Sequence, residues 1–269
     1  MRKNILIVVG IIILTTLVFG FSKKVHVPNM VSSPQTKQAQ QLYDQALEMV
    51  HNGQLYEAKQ AYQKLVTDYP DYENIATAQK DLDNLNMQIL FSNTTTPSTV
   101  IYEVQPGDSL AKVAKKYNTT IDLIKVRNNI TSNVIRAGQK LSIWKGSLNI
   151  FVDKSQNILI LKDGDDVVKT YSVSTGQNNC TPVGTFTITS KLTNPVWFNK
   201  GIVVPPESPQ NVLGSRWMGF DNPGYGIHGT VQPEAIGQQV TAGCVRMINK
   251  DVEELYTVIP VGTKVNIQD

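Results

Sequence analysis

The feature that most constrains the fold is a regular alternation of apolar and polar residues through residues 147–269. The stretches "LNIFVDKSQNILILKDG", "DVVKTYSVSTG" and "GTFTITSKL" alternate in this way between turns rich in Gly, Asn and Asp. A period of two places every second side chain on one face, so each stretch predicts half-buried strands. The best helical spacing is in "NKDVEELYTVI". This region is therefore predicted to form a mainly-β domain with one or two helices.

An apolar run near the N-terminus bears on the compartment. It extends from Ile5 to Phe21, with two basic residues before it and two after it. At about 1.5 Å per residue the run is just long enough to cross a bilayer, and no small-residue cleavage site follows it. We interpret residues 1–24 as an uncleaved single-pass membrane anchor, with a cleaved signal peptide as the alternative. The basic residues do not fix the orientation, because both flanks carry two.

Helical spacing characterises residues 37–91. Apolar residues recur at three- and four-residue steps in "AQQLYDQALEMVHNGQLYEAKQAYQKLVTDYPD", which Asn52-Gly53 interrupts and Tyr69-Pro70 ends. The small residues at the expected helix crossing resemble one tetratricopeptide repeat, and a third helix near Asn74 to Leu90 would cover it. Because one repeat buries little surface alone, we interpret the segment as a stalk or an interaction module with an unidentified protein partner. It lies between two predicted linkers, residues 25–36 and 92–99.

Residues 100–145 show the order strand, helix, helix, strand. "TVIYEV" and "KLSIW" alternate as strands do, while Asp108 and Thr120 are placed to cap two short helices. The whole stretch resembles a LysM domain. The resemblance rests on Tyr102, Gly107, Asp108, Ser109, Leu110, Ala114, Asn128, Gly138 and Leu141. One departure is Trp144, where the family usually has proline.

The LysM resemblance implies binding to glycans that contain N-acetylglucosamine, such as peptidoglycan. It places the sugar between two loops, whose candidate contacts are Gly107, Asp108, Ser109, Leu110, Asn129 and Ile130. For Gly107 and Asp108 a purely structural role in a turn and a cap is equally compatible with the sequence.

Composition excludes some functions. The chain has 25 Lys and Arg against 22 Asp and Glu, and the resulting net charge of +3 is too balanced for a nucleic-acid binder. Two cysteines do not make a disulfide framework. The single histidine and two cysteines of the C-terminal region lack the number and spacing of metal ligands, so no metal site is predicted.

Two glycine-flanked residues carry the candidate chemistry. Cys244 lies in "TAGCVRM", and His228 in "GYGIHGT" is the only histidine of the C-terminal region. A free thiol has a pKa of about 8.5, so a histidine within hydrogen-bond reach would be needed to give a thiolate and an ion pair at neutral pH. From the residues alone, a buried structural cysteine, a structural histidine and a disulfide between Cys180 and Cys244 remain open.

The motifs "TPVGTFTI", "YGIHGT" and "IGQQVTAGCVRMINKDVEELYTVIPVGTKVNI" resemble the catalytic domain of the L,D-transpeptidases of the YkuD type. The resemblance extends to the C-terminus and includes Gly184, Phe186, His228, Gly229, Ile236, Gly237, Thr241, Gly243, Cys244, Arg246, Asp251, Gly262 and Val265. It implies a sandwich of mixed β-sheets with the cysteine in a groove, and no cofactor. The chain as a whole is thus predicted to contain a helical hairpin module, a small βααβ LysM domain and a mainly-β L,D-transpeptidase domain at residues 147–269.

The resemblance also implies a reaction. Cys244 would attack the carbonyl of the third residue of a peptidoglycan stem peptide, with His228 as the base, and a neighbouring stem would resolve the acyl-enzyme into a cross-link. Backbone amides near Gly243 and Cys244 would stabilise the oxyanion. Further groove or oxyanion candidates are Thr241, Arg246, Tyr225 and Gly229. Arg246 would pair with a stem carboxylate or form a structural salt bridge.

Four matters stay open at this point. Many relatives have histidine where this chain has Ala242, which makes His228 less replaceable as the base. Resolution of the acyl-enzyme by water would give an L,D-carboxypeptidase, and a decayed enzyme would be a wall-binding scaffold. Action on peptidoglycan requires the catalytic part to lie on the extracytoplasmic side of the membrane, or to be secreted if the N-terminus is cleaved. The stem residue, diaminopimelate or lysine, is not determined.

Overall fold

The structure is a computed structural model that describes residues 34–199 and 201–269. The apolar N-terminal run, interpreted as a membrane anchor, and most of the linker at residues 25–36 lie outside the described residues. Within the two described ranges, no helix combines the length and the apolar character needed to cross a membrane.

Three helices form the N-terminal part: α1 (Pro34–His51), α2 (Leu55–Asp68) and α3 (Ile75–Phe91). The breaks fall where Asn52-Gly53 and Tyr69-Pro70 predict them. Gly53 has a φ of +75°, which a residue with a side chain adopts only at a cost. The first helix begins at Pro34, inside the predicted linker. Proline is tolerated in the first turn of a helix, because the backbone N–H that it lacks would have no partner within the helix. At the crossing of α1 and α2, Ala46 and Ala58 are fully buried.

The LysM region has the predicted order of strand, helix, helix and strand. Its elements are β1 (Thr99–Glu103), α4 (Leu110–Lys116), α5 (Ile121–Arg127) and β2 (Lys140–Trp144), and the two strands pair antiparallel. The prediction that Asp108 caps the first helix is wrong. The cap is Ser109, whose hydroxyl accepts a bond from the Lys112 amide. Asp108 instead closes the preceding turn, where it accepts bonds from the Tyr102 hydroxyl and the Gln105 amide.

The C-terminal part is built on one eight-stranded mixed sheet. In spatial order it contains β13 (Val245–Arg246), β11 (Gly226–His228), β10 (Arg216–Phe220), β7 (Gly184–Thr193), β14 (Lys264–Gln268), β3 (Leu148–Asp153), β4 (Ile158–Asp163) and β5 (Asp166–Ser172). Two small sheets pair β6 (Thr175–Gly176) with β12 (Gln239–Thr241) and β8 (Trp197–Asn199) with β9 (Ile202–Val204). One helix, α6 (Asn249–Val258), lies in the stretch that had the best helical spacing.

The expected mixed sheets take the form of one curled eight-stranded sheet together with the two small sheets. The ten-residue strand β7 makes the large sheet continuous, because its first four residues pair with β14 and most of the remainder pairs with β10. A strand that belongs to both halves joins them into one sheet, and a bulge between Gly219 and Phe220 marks the change of direction. The sheet is mixed, as predicted, since β11 pairs parallel with β13 and β14 pairs parallel with β3.

The three parts pack against each other. On α3, Asp83 accepts a bond from the Thr170 amide of β5 at 3.0 Å, and Asn86 donates to the Val168 carbonyl at 2.9 Å. The Thr120 hydroxyl, at the start of α5, donates to the Thr257 carbonyl of α6. The segment at residues 92–99 is ordered by bonds among its own threonine and serine hydroxyls. The helical part is therefore a layer on the catalytic domain.

Candidate active site

A tight turn between β12 and β13 positions Cys244. The Thr241 hydroxyl accepts a bond from the Gly243 amide at 3.1 Å and donates to the Cys244 carbonyl at 2.7 Å. Gly243 has a φ of +124°, and a Cβ at this position would lie 2.6 Å from the Tyr225 ring. Only glycine fits this turn without displacing the ring. Thr241 and Tyr225 thus shape the turn that presents the thiol, and neither is recorded in contact with the imidazole of His228.

His228 lies at the end of β11, which pairs parallel with β13 and sets His228 opposite Arg246. The imidazole is buried, and its Nδ1 lies 2.6 Å from the Gly229 carbonyl oxygen. Because a carbonyl oxygen only accepts, Nδ1 carries the proton and Nε2 holds the basic lone pair. The indole of Trp217 stacks on the ring, with centroids 6.0 Å apart. This contact fixes the plane of the imidazole.

Cys244 and His228 line the same cavity, which has a volume of about 550 Å³. Its walls come from Trp197, Phe198, Leu213 and Trp217, and also from Thr241, Ala242 and Arg246. The cavity is mostly apolar and partly open, and a few polar groups lie among its lining residues. This is the usual composition of a small-molecule or peptide site.

Burial keeps the thiol and the imidazole neutral. It lowers the pKa of His228 to about 4, against the opposing effect of the Gly229 carbonyl. Burial likewise raises the pKa of the Cys244 thiol. The thiol donates to the Gly224 carbonyl at 3.5 Å, and no hydrogen bond between Cys244 and His228 is recorded among the described side chains. The ion pair expected from the sequence is therefore disfavoured in the free protein, because both charged forms lose hydration.

Arg246 brings a cation to the base of the cavity. Its side chain is buried, and its Nε has no hydrogen-bond partner in the described structure. The positive charge lowers the pKa values of His228 and Cys244, although in both cases burial is the larger effect. A structural salt bridge, one of the two roles considered for Arg246, is not found among the described ion pairs. Burial lowers the pKa of Arg246, the nearby carboxylate of Glu234 opposes this effect, and Nε remains able to donate to an anionic group in the cavity.

The two amides proposed as oxyanion donors are not equivalent. The Gly243 amide already donates to Thr241, so the Cys244 amide is the remaining candidate of the pair. Gly229 acts through its carbonyl, which orients the imidazole of His228.

Sequence reasoning missed Asn249, at the start of α6. Its side-chain oxygen accepts bonds from the Ser215 and Thr230 amides, both at 3.1 Å, and so fixes the turn that follows His228. An asparagine at a helix start is a known signal for bonds to nearby amides, although the sequence does not show which ones. Trp217 was missed as well, and its place in an alternating strand gave no such signal.

The two cysteines are both free thiols. Cys180 is exposed, and its Sγ lies 3.9 Å from the Thr241 carbonyl oxygen. It therefore borders the turn that carries Cys244 without lining the cavity.

The candidate glycan-binding residues lie in two loops of the LysM domain. Gly107 and Ser109 are exposed in the first loop, whereas the side chain of Leu110 is buried in the LysM core. In the second loop, Asn129 and Ile130 face the catalytic domain across a groove.

Comparisons with known proteins agree with this architecture. The profile of the L,D-transpeptidase catalytic domain, YkuD, matches residues 148–267, and that of the LysM domain matches residues 102–144. The Bacillus subtilis protein named "Putative L,D-transpeptidase YqjB" is 43% identical over 130 residues, which are 46% of this chain and 73% of that protein. A Bacillus licheniformis protein named "Putative L,D-transpeptidase YkuD" is 33% identical over 177 residues, 62% of this chain and 98% of that protein.

A solved L,D-transpeptidase from Mycobacterium smegmatis superposes with a TM-score of 0.40 at 20% identity, over 49% of this chain and 64% of that one. This superposition is too loose to carry an argument. The sequence matches define the class, an acyltransferase domain joined to a LysM domain. The chain belongs to the L,D-transpeptidase family.

Proposed function

We propose that this protein is a cysteine-dependent L,D-transpeptidase that cross-links the third residues of peptidoglycan stem peptides. The observation that carries the proposal is one cavity that holds the thiol of Cys244, the buried neutral imidazole of His228 and the guanidinium of Arg246, whose Nε has no hydrogen-bond partner in the described structure. These groups supply a nucleophile, a base and a site for a carboxylate.

In the first step, Cys244 Sγ attacks the carbonyl carbon of the third stem residue. Nε2 of His228 accepts the thiol proton as the carbon–sulfur bond forms, because neither group is charged beforehand. The Cys244 amide stabilises the oxyanion, a contribution of about 3 to 4 kcal/mol for one donor in other acyl-transfer enzymes. The carbon–nitrogen bond then breaks, and the imidazolium returns its proton to the departing amine of D-alanine.

In the second step, the amine of a neighbouring stem attacks the thioester. Nε2 accepts a proton from this amine, and the thiolate leaves and is reprotonated. The product is an amide bond between two third residues. Arg246 binds a stem carboxylate in both steps. Water in place of the amine would give the carboxypeptidase outcome.

The other parts of the chain hold the enzyme at the wall. We propose that the LysM domain, residues 100–145, binds the glycan strand, and that residues 1–24 anchor the chain in the membrane with the catalytic domain, residues 147–269, on the extracytoplasmic side. The tetratricopeptide-like module, residues 37–91, packs on the catalytic domain and offers a surface to a protein partner.

The test incubates the full chain with muropeptides that carry tetrapeptide stems and identifies the products by mass. We expect dimers joined between third residues and loss of D-alanine. Cys244→Ala should abolish the products and also the covalent adduct with a carbapenem, an inhibitor that the family resemblance implies. The matched variant Cys180→Ala should keep both.

Tripeptide monomers without dimers would show the carboxypeptidase. Unchanged muropeptides would show a scaffold, and an adduct on Cys180 would overturn the assignment of the nucleophile.

A further inference from the structure

A second large groove lies between the LysM domain and the catalytic domain, with a volume of about 660 Å³. The LysM wall consists of α5 and the loop at residues 129–131. The facing wall consists of Thr193 at the end of β7, Arg216 at the start of β10, and Tyr256 on α6. No single domain forms this groove, so the contact between the two domains creates it.

The domain contact that forms the groove is well defined. The hydroxyl of Thr120 caps α5 through the Leu123 amide and also bonds to the Thr257 carbonyl of α6. These bonds hold the two helices together at one end of the groove. The groove therefore does not depend on a flexible linker, and its width is set by packed helices.

The groove and the catalytic cavity lie on opposite faces of the paired ends of β7 and β10. Leu192 and Trp217 are paired across β7 and β10, and both line the catalytic cavity. The next pair, Thr193 and Arg216, lines the groove. Successive residues of a strand point to opposite faces, so one strand pair separates the two spaces.

The chemistry of the groove suits a neutral ligand rich in hydroxyl and amide groups. Val126 is 46% exposed and offers apolar contact surface, while Lys191 and Arg216 lie over the ring of Tyr256. Asp122 supplies acceptors, and Lys125 and Arg216 supply donors. Arg216 lies 3.8 Å from Glu253, which offsets part of its charge. Positive and negative charges around the groove are therefore nearly balanced, so the groove does not favour binding of a polyanion.

We propose that this groove binds the glycan strand, so that the glycan site of the LysM domain extends onto Thr193, Arg216 and Tyr256 of the catalytic domain. The inference rests on the proposed function. A peptide attached to a sugar in the groove passes around the ends of β7 and β10 to reach Cys244.

The first experiment compares two substrates, a tetrapeptide linked to its disaccharide and the same tetrapeptide free. Val126→Trp places an indole in the groove of the full chain. Leu47→Trp is the control, because Leu47 is 44% exposed on α1 and does not line the groove. We expect Val126→Trp to reduce the preference for the linked substrate, measured as the ratio of kcat/KM values, by about tenfold. Leu47→Trp should keep it. An unchanged preference in Val126→Trp would overturn the proposal.

The second experiment needs no turnover, so it separates this proposal from the proposed function. Hydrogen–deuterium exchange of the full chain is measured with and without a peptide-free tetramer of N-acetylglucosamine. Protection of segments containing Asn129, Thr193 and Arg216, lost in Val126→Trp, supports the groove even if no cross-linking activity is found. Protection confined to the loop at Gly107, or no protection at all, would show that the glycan does not use the groove.

Discussion

At the scale of single residues, the burial of His228 determines the pH at which the site works. A protonated imidazole cannot accept the thiol proton, and the ordinary pKa of histidine is about 6.5. Burial lowers the pKa of His228 to about 4, so the neutral base persists as the pH falls from 6.5 towards 4. Burial raises the pKa of the Cys244 thiol, so a free thiolate is scarce at neutral pH. Both shifts disfavour a thiolate–imidazolium pair before attack, so the proton leaves the thiol only as the carbon–sulfur bond forms.

We therefore predict that the acid limb of β-lactam acylation has its midpoint near pH 4, the pKa of His228. His228→Gln should slow acylation at pH 7 by at least about 100-fold, the lower range for general-base catalysis. The rate of adduct formation, followed by mass against pH, measures both effects. His51→Gln, which changes an exposed histidine of α1, should keep the wild-type profile. A midpoint near 6.5, or a His228→Gln variant within a few-fold of wild type, would assign the base to another group.

At the scale of structural elements, Arg127 connects α3 to the LysM domain. Its buried guanidinium donates to the Ile89 carbonyl at 3.0 Å and to the Leu90 carbonyl at 2.7 Å, at the C-terminal end of α3. It also donates to the Ser142 hydroxyl of β2. A cation is favourable at a helix C-terminus, where carbonyl groups lack partners. Burial lowers the pKa of Arg127 to about 10, so it remains charged at neutral pH.

Arg127→Met should lower the free energy of unfolding by about 2 to 3 kcal/mol, because buried carbonyls lose a charged donor. Arg127→Lys should recover only part of this, since an ammonium cannot reproduce the planar fork. Thermal unfolding of the full chain measures the loss. Arg136→Met makes the same change at an exposed arginine of the LysM domain and should cost less than about 0.5 kcal/mol. Equal effects of the two methionine variants would contradict the role assigned to Arg127.

At the scale of the whole molecule, the helical module, the LysM domain and the catalytic domain each contact the other two. Asp83 and Asn86 of α3 bond to the backbone of β5, while α5 contacts both α3 and α6. Removing one module would expose surfaces on the other two. Deletion of residues 100–145 would therefore change the fold as well as glycan binding, and substitutions are the cleaner test.

We predict that residues 34–269 unfold in one cooperative transition, with equal calorimetric and van't Hoff enthalpies. The double variant Asp83→Ala/Asn86→Ala should lower the midpoint of the whole transition, because buried β5 groups lose their partners. Lys64→Ala/Asp68→Ala removes an exposed bonded pair on α2 and should leave the midpoint within about 1 °C. Separate transitions for the catalytic domain and the helices would show modules that fold independently.

The sequence by itself determined the local elements and the identity of the candidate nucleophile and base. The period of two in residues 147–269, the breaks at Asn52-Gly53 and Tyr69-Pro70, and the cap at Thr120 are local signals, and the structure has the corresponding elements. The motifs around His228 and Cys244 likewise sufficed to predict the family. These features depend on backbone preferences and on neighbours in the chain, which a sequence displays directly.

Only the tertiary structure decided how distant segments meet. The curling of one sheet follows from the double pairing of β7, and the neutral state of Cys244 and His228 follows from burial by other strands. The bonds of Asn249 to the turn after His228, and the groove at Arg216, join residues that are far apart in sequence. Burial and hydrogen bonding between such segments depend on how they pack in three dimensions, which no local pattern specifies.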